Sequence, residues 1–506
     1  MPVPTTSDMS NVPPATDNSV SGCLRYIVAA LLILGVLLSY AVRGMLSVAI
    51  VAMVKSTNST SLNMTSSEDT CPGETEESAD KQQDGPFDWD EQLQGEILAS
   101  YFYGYVATQF VAGWAADKFG GRVVLGPGVL LSGVLSLLCP ASVDVHHGVF
   151  MANRALQGAF SGVVLPSTHV IIGRWFTVEE RSRISGFVLS ANAAGNLVAL
   201  SLSGLLVEQL GWPSVFYVFG GICLLFIVPW IYFVYDAPEI HPRISNREKD
   251  FIIRGRQQSP IEDHKVQEKR EAVSSTPWVS IMTSLPFWAA VVMMSSFLWI
   301  NNTLLIQLPS YITNVLHFNI KQSGFISSLP YLVAWLVGPF FGSLSSWLCA
   351  KRHISRIKAY RIFNGISCIG PAIFLQLVIL LGCHTTAIIV CLVFTAVLQG
   401  GFYGGSVTNP LDLAPNYAGT TNGIMLTIGS ATGIVAPLLY GAILKGQQTL
   451  TGWHTIFYIT MAMGIIPYAF FLVFGSDEEQ SWNKPQDKKR EAIHLTVDEE
   501  SVDNKC

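Results

Sequence analysis

The chain has 506 residues, of which 50% are hydrophobic and only 13% charged, with a formal net charge of −6 and a mean hydropathy of +0.40. Soluble domains carry about 25% charged residues, so a water-soluble globular fold is excluded. No basic domain and no interleaved aromatic and basic patch occurs, which removes nucleic acid as a partner.

Met1 to Gly22 is polar, without a basic n-region or a small-residue cleavage site, so the first apolar run is expected to be a retained helix. Twelve apolar segments follow, at about 27–54, 93–115, 123–142, 148–172, 184–207, 213–235, 286–308, 323–348, 360–382, 386–409, 419–443 and 453–475. Each is close to the ~20 residues that cross a bilayer at ~1.5 Å per residue. The expected fold is all-α: a polytopic membrane protein with twelve transmembrane helices in two pseudo-symmetric six-helix bundles. The domain reading is an N-terminal tail (1–26), a first bundle (27–235) with a polar outer loop (55–92), a linker (236–285), a second bundle (286–475) and a C-terminal tail (476–506). Six spans, a long linker and six spans is the layout of a duplicated transporter. Connections 2–3, 4–5, 6–7, 8–9 and 10–11 together hold about eighteen Lys and Arg against about four on the other side, which makes both termini and the linker cytoplasmic.

The first span contains "SYAVRGMLSVAIVAM" (39–53), in which Arg43 is the only charge between Ile27 and Val54. A guanidinium at that depth costs at least ~2.5–3.5 kcal/mol on insertion scales. Arg43 lies about eleven residues, or ~17 Å, from the outer end of its span, too far for easy snorkelling. It is therefore read as facing a central aqueous cavity. The acidic outer loop carries sequons at Asn58 and Asn63, candidate glycan acceptors in a loop of this orientation. The second span offers Tyr101, Phe102, Tyr103 and Tyr105 as an aromatic wall with hydroxyl donors, beside the alternative of ordinary packing.

In the fourth span, "FMANRALQGAFSGVVLPSTHVIIGRW" places Arg154, Gln157, Ser161 and His169 within one broad helical stripe, and Gly158 with Gly162 permits close helix approach. In the linker, Ser245 and Glu248 fit a capping box. Asn301-Asn302-Thr303 matches a sequon but lies inside the seventh span, where Asn301 and Asn302 read as polar lining. Cys71 and Cys383 are the two cysteines on the outer side, which leaves a disulfide between them open. The tail ends in Cys506 without a prenylation arrangement, and no CxxC, HExxH, P-loop or GxSxG motif points to enzyme chemistry.

Two buried arginines without an intramembrane carboxylate imply that the counter-charge arrives from outside. A guanidinium presents a planar fork of donors that fits carboxylate or phosphate, so the expected cargo is a small anion. Arg43, Arg154, Tyr101, Tyr103, Asn301 and Asn302 are the candidate binding residues. No cofactor or metal is called for beyond a co-transported Na+ or H+, and a monomer embedded in lipid is the expected working unit.

The 2–3 connection, "GWAADKFGGRVVLG", resembles the major facilitator signature, in which a Gly, an Asp, a Gly and a basic residue clasp helices on the cytoplasmic side. Gly113, Asp117, Gly120 and Arg122 match it. The second half keeps the glycine and the basic end in "GSLSSWLCAKR" but has Ser346 where Asp117 stands. More locally the chain is similar to the anion transporter family of sialin, the vesicular glutamate transporters and the sodium–phosphate cotransporters. The match runs through "YAVRGMLSVAIVAMV" (40–54), "FDWDEQLQGEILASYFYGY" (87–105), "ERSRISG" (180–186), "GWPSVFYVFG" (211–220), "SGFISSLPYL" (323–332), "NPLDLAPNYAG" (409–419) and "WHTIFYI" (453–459). The resemblance implies an alternating-access carrier of organic or inorganic anions, with Arg43 and Arg154 as the family's span-one and span-four arginines and His169 as the span-four histidine. Sialin-like members carry acidic residues in the span-four motif where this chain has Gln157 and Ser161, so sodium coupling or drive by membrane potential gains on proton symport. His169, Gln157 and Ser161 are the candidate coupling residues, with Asp117 and Arg122 as gating residues. The alternative is a non-transporting, anion-binding membrane sensor of the same fold. Plasma membrane and lysosomal or vesicular membrane both remain open.

Overall fold

A computed structural model describes residues 23–55, 85–257, 277–445 and 448–483. Twelve helical segments of membrane length run through it. Spans 1 to 3 are Cys23–Met53, Glu91–Phe119 and Gly121–Val145. Span 4 is broken at Val163 into His147–Gly162 and Val164–Trp175, and spans 5 and 6 are Val178–Leu210 and Trp212–Phe233. Spans 7 to 9 are Leu285–Asn314, Ile320–Ala350 and Arg356–Leu380. Span 10 is Thr385–Gln399 with short 3-10 turns after it, span 11 is Ala418–Ser430 with Thr432–Ile443, and span 12 is Leu450–Phe474. Eleven of these are long and apolar enough to cross a membrane. The twelfth, span 2, has 29 residues and carries Glu91, Gln92, Gln94, Glu96 and Gln109.

Helix ends follow local chemistry. Asp90, Asn319 and Thr449 each cap a first turn by accepting from the backbone N–H three residues on. Gly120 (φ +95°) and Gly211 (φ +80°) turn the chain between spans 2 and 3 and between spans 5 and 6, in the backbone region that glycine alone enters cheaply. One buried apolar cluster is built on residues from Val28 to Ile252 and takes in Leu305, Ile306 and Tyr331 of spans 7 and 8, and two more are built from residues between Ile281 and Phe471. Each set of six spans has apolar clusters of its own, and that of the first set reaches across to spans 7 and 8.

The two halves meet at one end and part at the other. At the end where spans 1 and 2 are joined by the long loop, span 2 lies on span 11: the Cα of Gly95 abuts the Pro437 carbonyl, and that of Gly441 abuts the Glu91 carbonyl. On the opposite flank Gly204 of span 5 meets Gly324 of span 8, and Lys321 pairs with Glu208 at 3.0 Å. Lys445 Nζ donates to Gln92 Oε1 at 2.9 Å. We call this the loop end. At the tail end, where the chain enters span 1, Gly113, Gly173, Gly186, Gly419 and Gly423 all face open space. There Arg25 pairs with Glu180 and Arg356 with Asp412, each within its own half.

The apolar segment expected to be one helix over 386–409 is helical only to Gln399. Residues 400–404 and 406–408 form 3-10 turns, and side chains hold the freed backbone. Asn364 accepts from Ser406 N at 3.0 Å, Ser345 donates to Gly404 O at 2.7 Å, and Ser367 donates to Gln399 O at 3.2 Å. Irregular backbone at membrane depth survives only with such partners.

The linker folds onto the first half. Ser245 Oγ accepts from Glu248 N at 3.2 Å, as the capping box requires, but the reciprocal half of the box is missing. The buried Glu248 carboxylate instead accepts from Arg25 N at 3.0 Å, and the Arg25 guanidinium pairs with Glu180 at 3.0 Å and lies 4.8 Å from the Phe251 ring centroid. His241 sits nearby, its Nδ1 accepting from Arg243 N at 3.1 Å and its Nε2 donating to Phe233 O at 3.3 Å, with its ring edge-on to Trp175. Burial, first of all, holds this imidazole below its ordinary range; Arg243 and Arg122 act in the same direction, the Phe233 carbonyl and Glu248 against it. The fold thus favours the neutral ring, and that stability is present above about pH 6.5 and lost as pH falls. His241→Gln is expected to shrink the drop in thermal midpoint between pH 7 and pH 5 by ~1–3 °C, measured by thermal unfolding in detergent. An unchanged pH profile would remove His241 from that account.

Candidate substrate site

The candidate site forms at mid-depth, where spans 1, 2 and 4 face span 7. Arg43 of span 1 is half-buried and donates through Nη2 to Asn302 Oδ1 of span 7. Its guanidinium lies 4.6 Å from the Phe102 ring centroid, 5.5 Å from Tyr40 and 5.8 Å from Tyr105, an aromatic collar on three sides. Asn302 Nδ2 donates in turn to Thr432 Oγ1 at 3.1 Å, and Thr432 donates to Gly429 O at 2.7 Å. A chain of hydrogen bonds therefore ties the arginine of the first half to span 11 of the second. Tyr331 of span 8 donates to the Asn301 carbonyl at 3.1 Å and lies within the field of Arg43.

Arg154 is 1% exposed. Its Nη1 donates to Val42 O at 3.3 Å and to Gln157 Oε1, and its guanidinium lies 4.9 Å from the Tyr101 ring centroid. Gln157 Nε2 donates to Ser132 O at 3.1 Å, and the Ser132 and Ser161 hydroxyls are 2.9 Å apart. Close packing makes this burial feasible: a Cβ on Gly158 would overlap the Tyr101 carbonyl of span 2. Among the described residues, neither Arg43 nor Arg154 pairs with a carboxylate. The Nε atoms of both, and the Tyr101 hydroxyl between them, are buried without a hydrogen-bond partner among those residues. Unpaired donors grouped this way are suited to an anion with several acceptor oxygens.

Several expected placements change. Arg154 does not share an open chamber with Arg43; it is shut behind Tyr101 in this conformation. Tyr103 is 44% exposed, because it follows Tyr101 by two residues and so points about 200° round the helix from it. His169 leaves the hydrogen-bonded stripe, since span 4 breaks at Val163; it is exposed, its Nδ1 2.9 Å from the Leu165 carbonyl. Asn301 meets Tyr331 through its backbone while Asn302 makes the side-chain contact. Among the described residues, Arg122 is held within the first half: it donates to Ile231 O at 2.8 Å, while its backbone N–H is held by Asp236. The Asp117 side chain, Asn58, Asn63 and Cys71 lie outside the described residues; Cys383 is disulfide-bonded. Sequence reasoning missed Tyr40, Tyr331 and Thr432. Tyr40 stands one helical turn before Arg43, which was a usable signal; the other two sit on faces that only the packing of the halves defines.

A family model described as the Major Facilitator Superfamily matches residues 32–437. The chain belongs to the Major Facilitator Superfamily. Human sialin is 37% identical over 463 residues, covering 90% of this chain and 90% of that protein. Sodium-dependent phosphate transport protein 1 of Mus musculus is 30% identical over 460 residues, covering 91% and 95%. A D-xylose–proton symporter crystal structure superposes with a TM-score of 0.64 over 90% of this chain and 98% of that one, at 15% identity, which speaks to the fold alone. This major facilitator is thus an all-helical, integral membrane secondary transporter of the anion and phosphate cotransporter branch.

The collar makes one prediction about the site. In Asn302→Asp a carboxylate would pair with Arg43 from within and compete with an incoming anion. Uptake kinetics are expected to show a KM raised about tenfold or more, equivalent to ~1.4 kcal/mol, with the folded yield retained. An unchanged KM would place Arg43 outside the cargo's path.

Proposed function

We propose that this major facilitator carries a small organic or inorganic anion by rocking its halves about the site between Arg43 and Arg154. The observation that carries the reading is the pair of guanidinia beside Tyr101, with no carboxylate among the described residues pairing either one. A relative named for phosphate transport is in accord with an anionic cargo. The Lys and Arg distribution makes the tail end cytoplasmic, so the conformation described is open to the cytoplasm and closed outside. Arg43 is the first contact for cargo in this state, and Arg154 is reached when Tyr101 moves. Asn302 and Thr432 then sense occupancy from the second half.

For coupling, the Arg154–Gln157–Ser132–Ser161 chain holds no carboxylate, which favours sodium or membrane potential over proton symport. His169, outside that chain but on the same span, is a titratable group that a proton could use. The test is uptake into liposomes containing the purified protein, with radiolabelled phosphate and labelled carboxylates offered under proton, sodium and voltage gradients imposed one at a time. Accumulation of an anion under at least one gradient is expected. Binding without accumulation under any gradient would turn the assignment to a sensor, and neutral solutes carried in preference to anions would overturn it.

A further inference from the structure

We propose that the groove between spans 3 and 6 at the tail end holds the headgroup of an anionic phospholipid. The groove, of about 660 Å³, lies on the outer flank of the first half and away from the cargo site; its lining includes Arg122, Val228, Ile231, Tyr232, Tyr235 and Arg243. Two guanidinia frame it. That of Arg122 lies 4.1 Å from the Tyr235 ring centroid, and one of its nitrogens is fixed on the Ile231 carbonyl. That of Arg243 lies 3.6 Å from the Tyr232 ring centroid and pairs with no carboxylate among the described residues. The nearby acid, Asp236, already accepts from Arg122 N at 2.8 Å. Aromatic rings under both cations keep them in place without neutralising them.

The apolar rim separates a lipid from a free anion. Leu225, Val228 and Ile231 of span 6 are 71%, 67% and 57% exposed and recur every third residue, so one stripe of this helix faces the acyl chains. That stripe ends at the groove, where half-exposed Tyr232 stands at interfacial depth. A phosphodiester seated between the arginines would have its chains lying along the stripe, and a soluble phosphate would leave it unused. Basic pockets at the cytoplasmic boundary suit acidic headgroups.

The test is native mass spectrometry of the detergent-purified full chain after exchange into mixed micelles of phosphatidylserine and phosphatidylcholine with matched acyl chains. The wild type is expected to retain phosphatidylserine in preference, and Arg243→Glu to lower that retention at least about fivefold, with Tyr232→Ala following in the same direction. Millimolar glycerophosphoserine or inorganic phosphate should not displace the lipid. Equal retention by wild type and Arg243→Glu overturns the proposal, and displacement by the soluble headgroup turns the groove into a free-anion site. If Arg243→Glu lowers the thermal midpoint, Arg243→Gln, which removes the charge without reversing it, carries the comparison.

Discussion

Arg43→Ala is expected to lower anion uptake by about two to three orders of magnitude while leaving the protein folded. A bidentate, charge-assisted contact with an oxyanion contributes ~3–4 kcal/mol, and each ~1.4 kcal/mol is a factor of ten. Arg43 is half-buried and its one hydrogen-bond partner among the described residues, Asn302, keeps the Thr432 contact without it, so little structure is lost. Arg154→Ala is a harsher change. It leaves Gln157 Oε1 without its donor in a fully buried place, at ~1–3 kcal/mol, and removes the second bond to the Val42 carbonyl, which the span-1 helix still engages. Loss of uptake is expected there together with a lower thermal midpoint, and Arg154→Lys should recover stability before it recovers transport, since a point charge cannot reproduce the fork. Uptake per folded molecule, measured in liposomes, is the deciding quantity. Arg43→Ala carrying anions at the wild-type rate would sink the site.

The second large effect is expected at the loop end. A valine at Gly95 would drive its side chain into the Pro437 carbonyl, and one at Gly441 would meet the Glu91 carbonyl. Backbone cannot yield as a side-chain tip can, so spans 2 and 11 could not close. Gly95→Val and Gly441→Val should hold the protein open at the loop end, with turnover down at least about tenfold and anion binding from that side retained. Ser310 reports on the change: it lines a cavity of about 20 Å³ with Glu91 and Gln448 at this seam, room for little more than one water. A cysteine placed at Ser310 should react with an impermeant thiol reagent from the loop side in the valine variants and resist it in the parent. Unchanged turnover would mean that this seam does not open during transport.

The sequence was legible where a property is local. Span count, the polar linker and the depth of Arg43 follow from hydropathy and charge along the chain, and the span-four stripe correctly joined Arg154, Gln157 and Ser161. Properties that depend on which helix lies opposite were not legible. Tyr331 and Thr432 belong to the site because spans 8 and 11 face span 1 across the seam, and no periodicity in their own segments says so. Tyr103 looked equivalent to Tyr101 in a run of aromatics, and two residues of helical rotation separate them. The buried state of Arg154 was hidden for another reason: its partners are a carbonyl and an amide, which leave no charge pattern to read. The breaks at Val163 and Gly400 fall inside apolar runs, and the second rests on hydrogen bonds from spans 8 and 9.

The Arg25–Glu180 and Arg25–Glu248 contacts have a bearing on biogenesis. They join the beginning of span 1, the beginning of span 5 and the linker helix Asn246–Gln257, so these charges are satisfied once the ribosome has passed residue 257. The N-terminal portion can then settle in the membrane as a finished unit while the remainder is still being synthesised. A chain cut after Gln257 and co-expressed as two fragments should assemble into an active carrier, whereas a cut before Asn246 should leave Arg25 without its Glu248 contact and expose the first fragment to degradation.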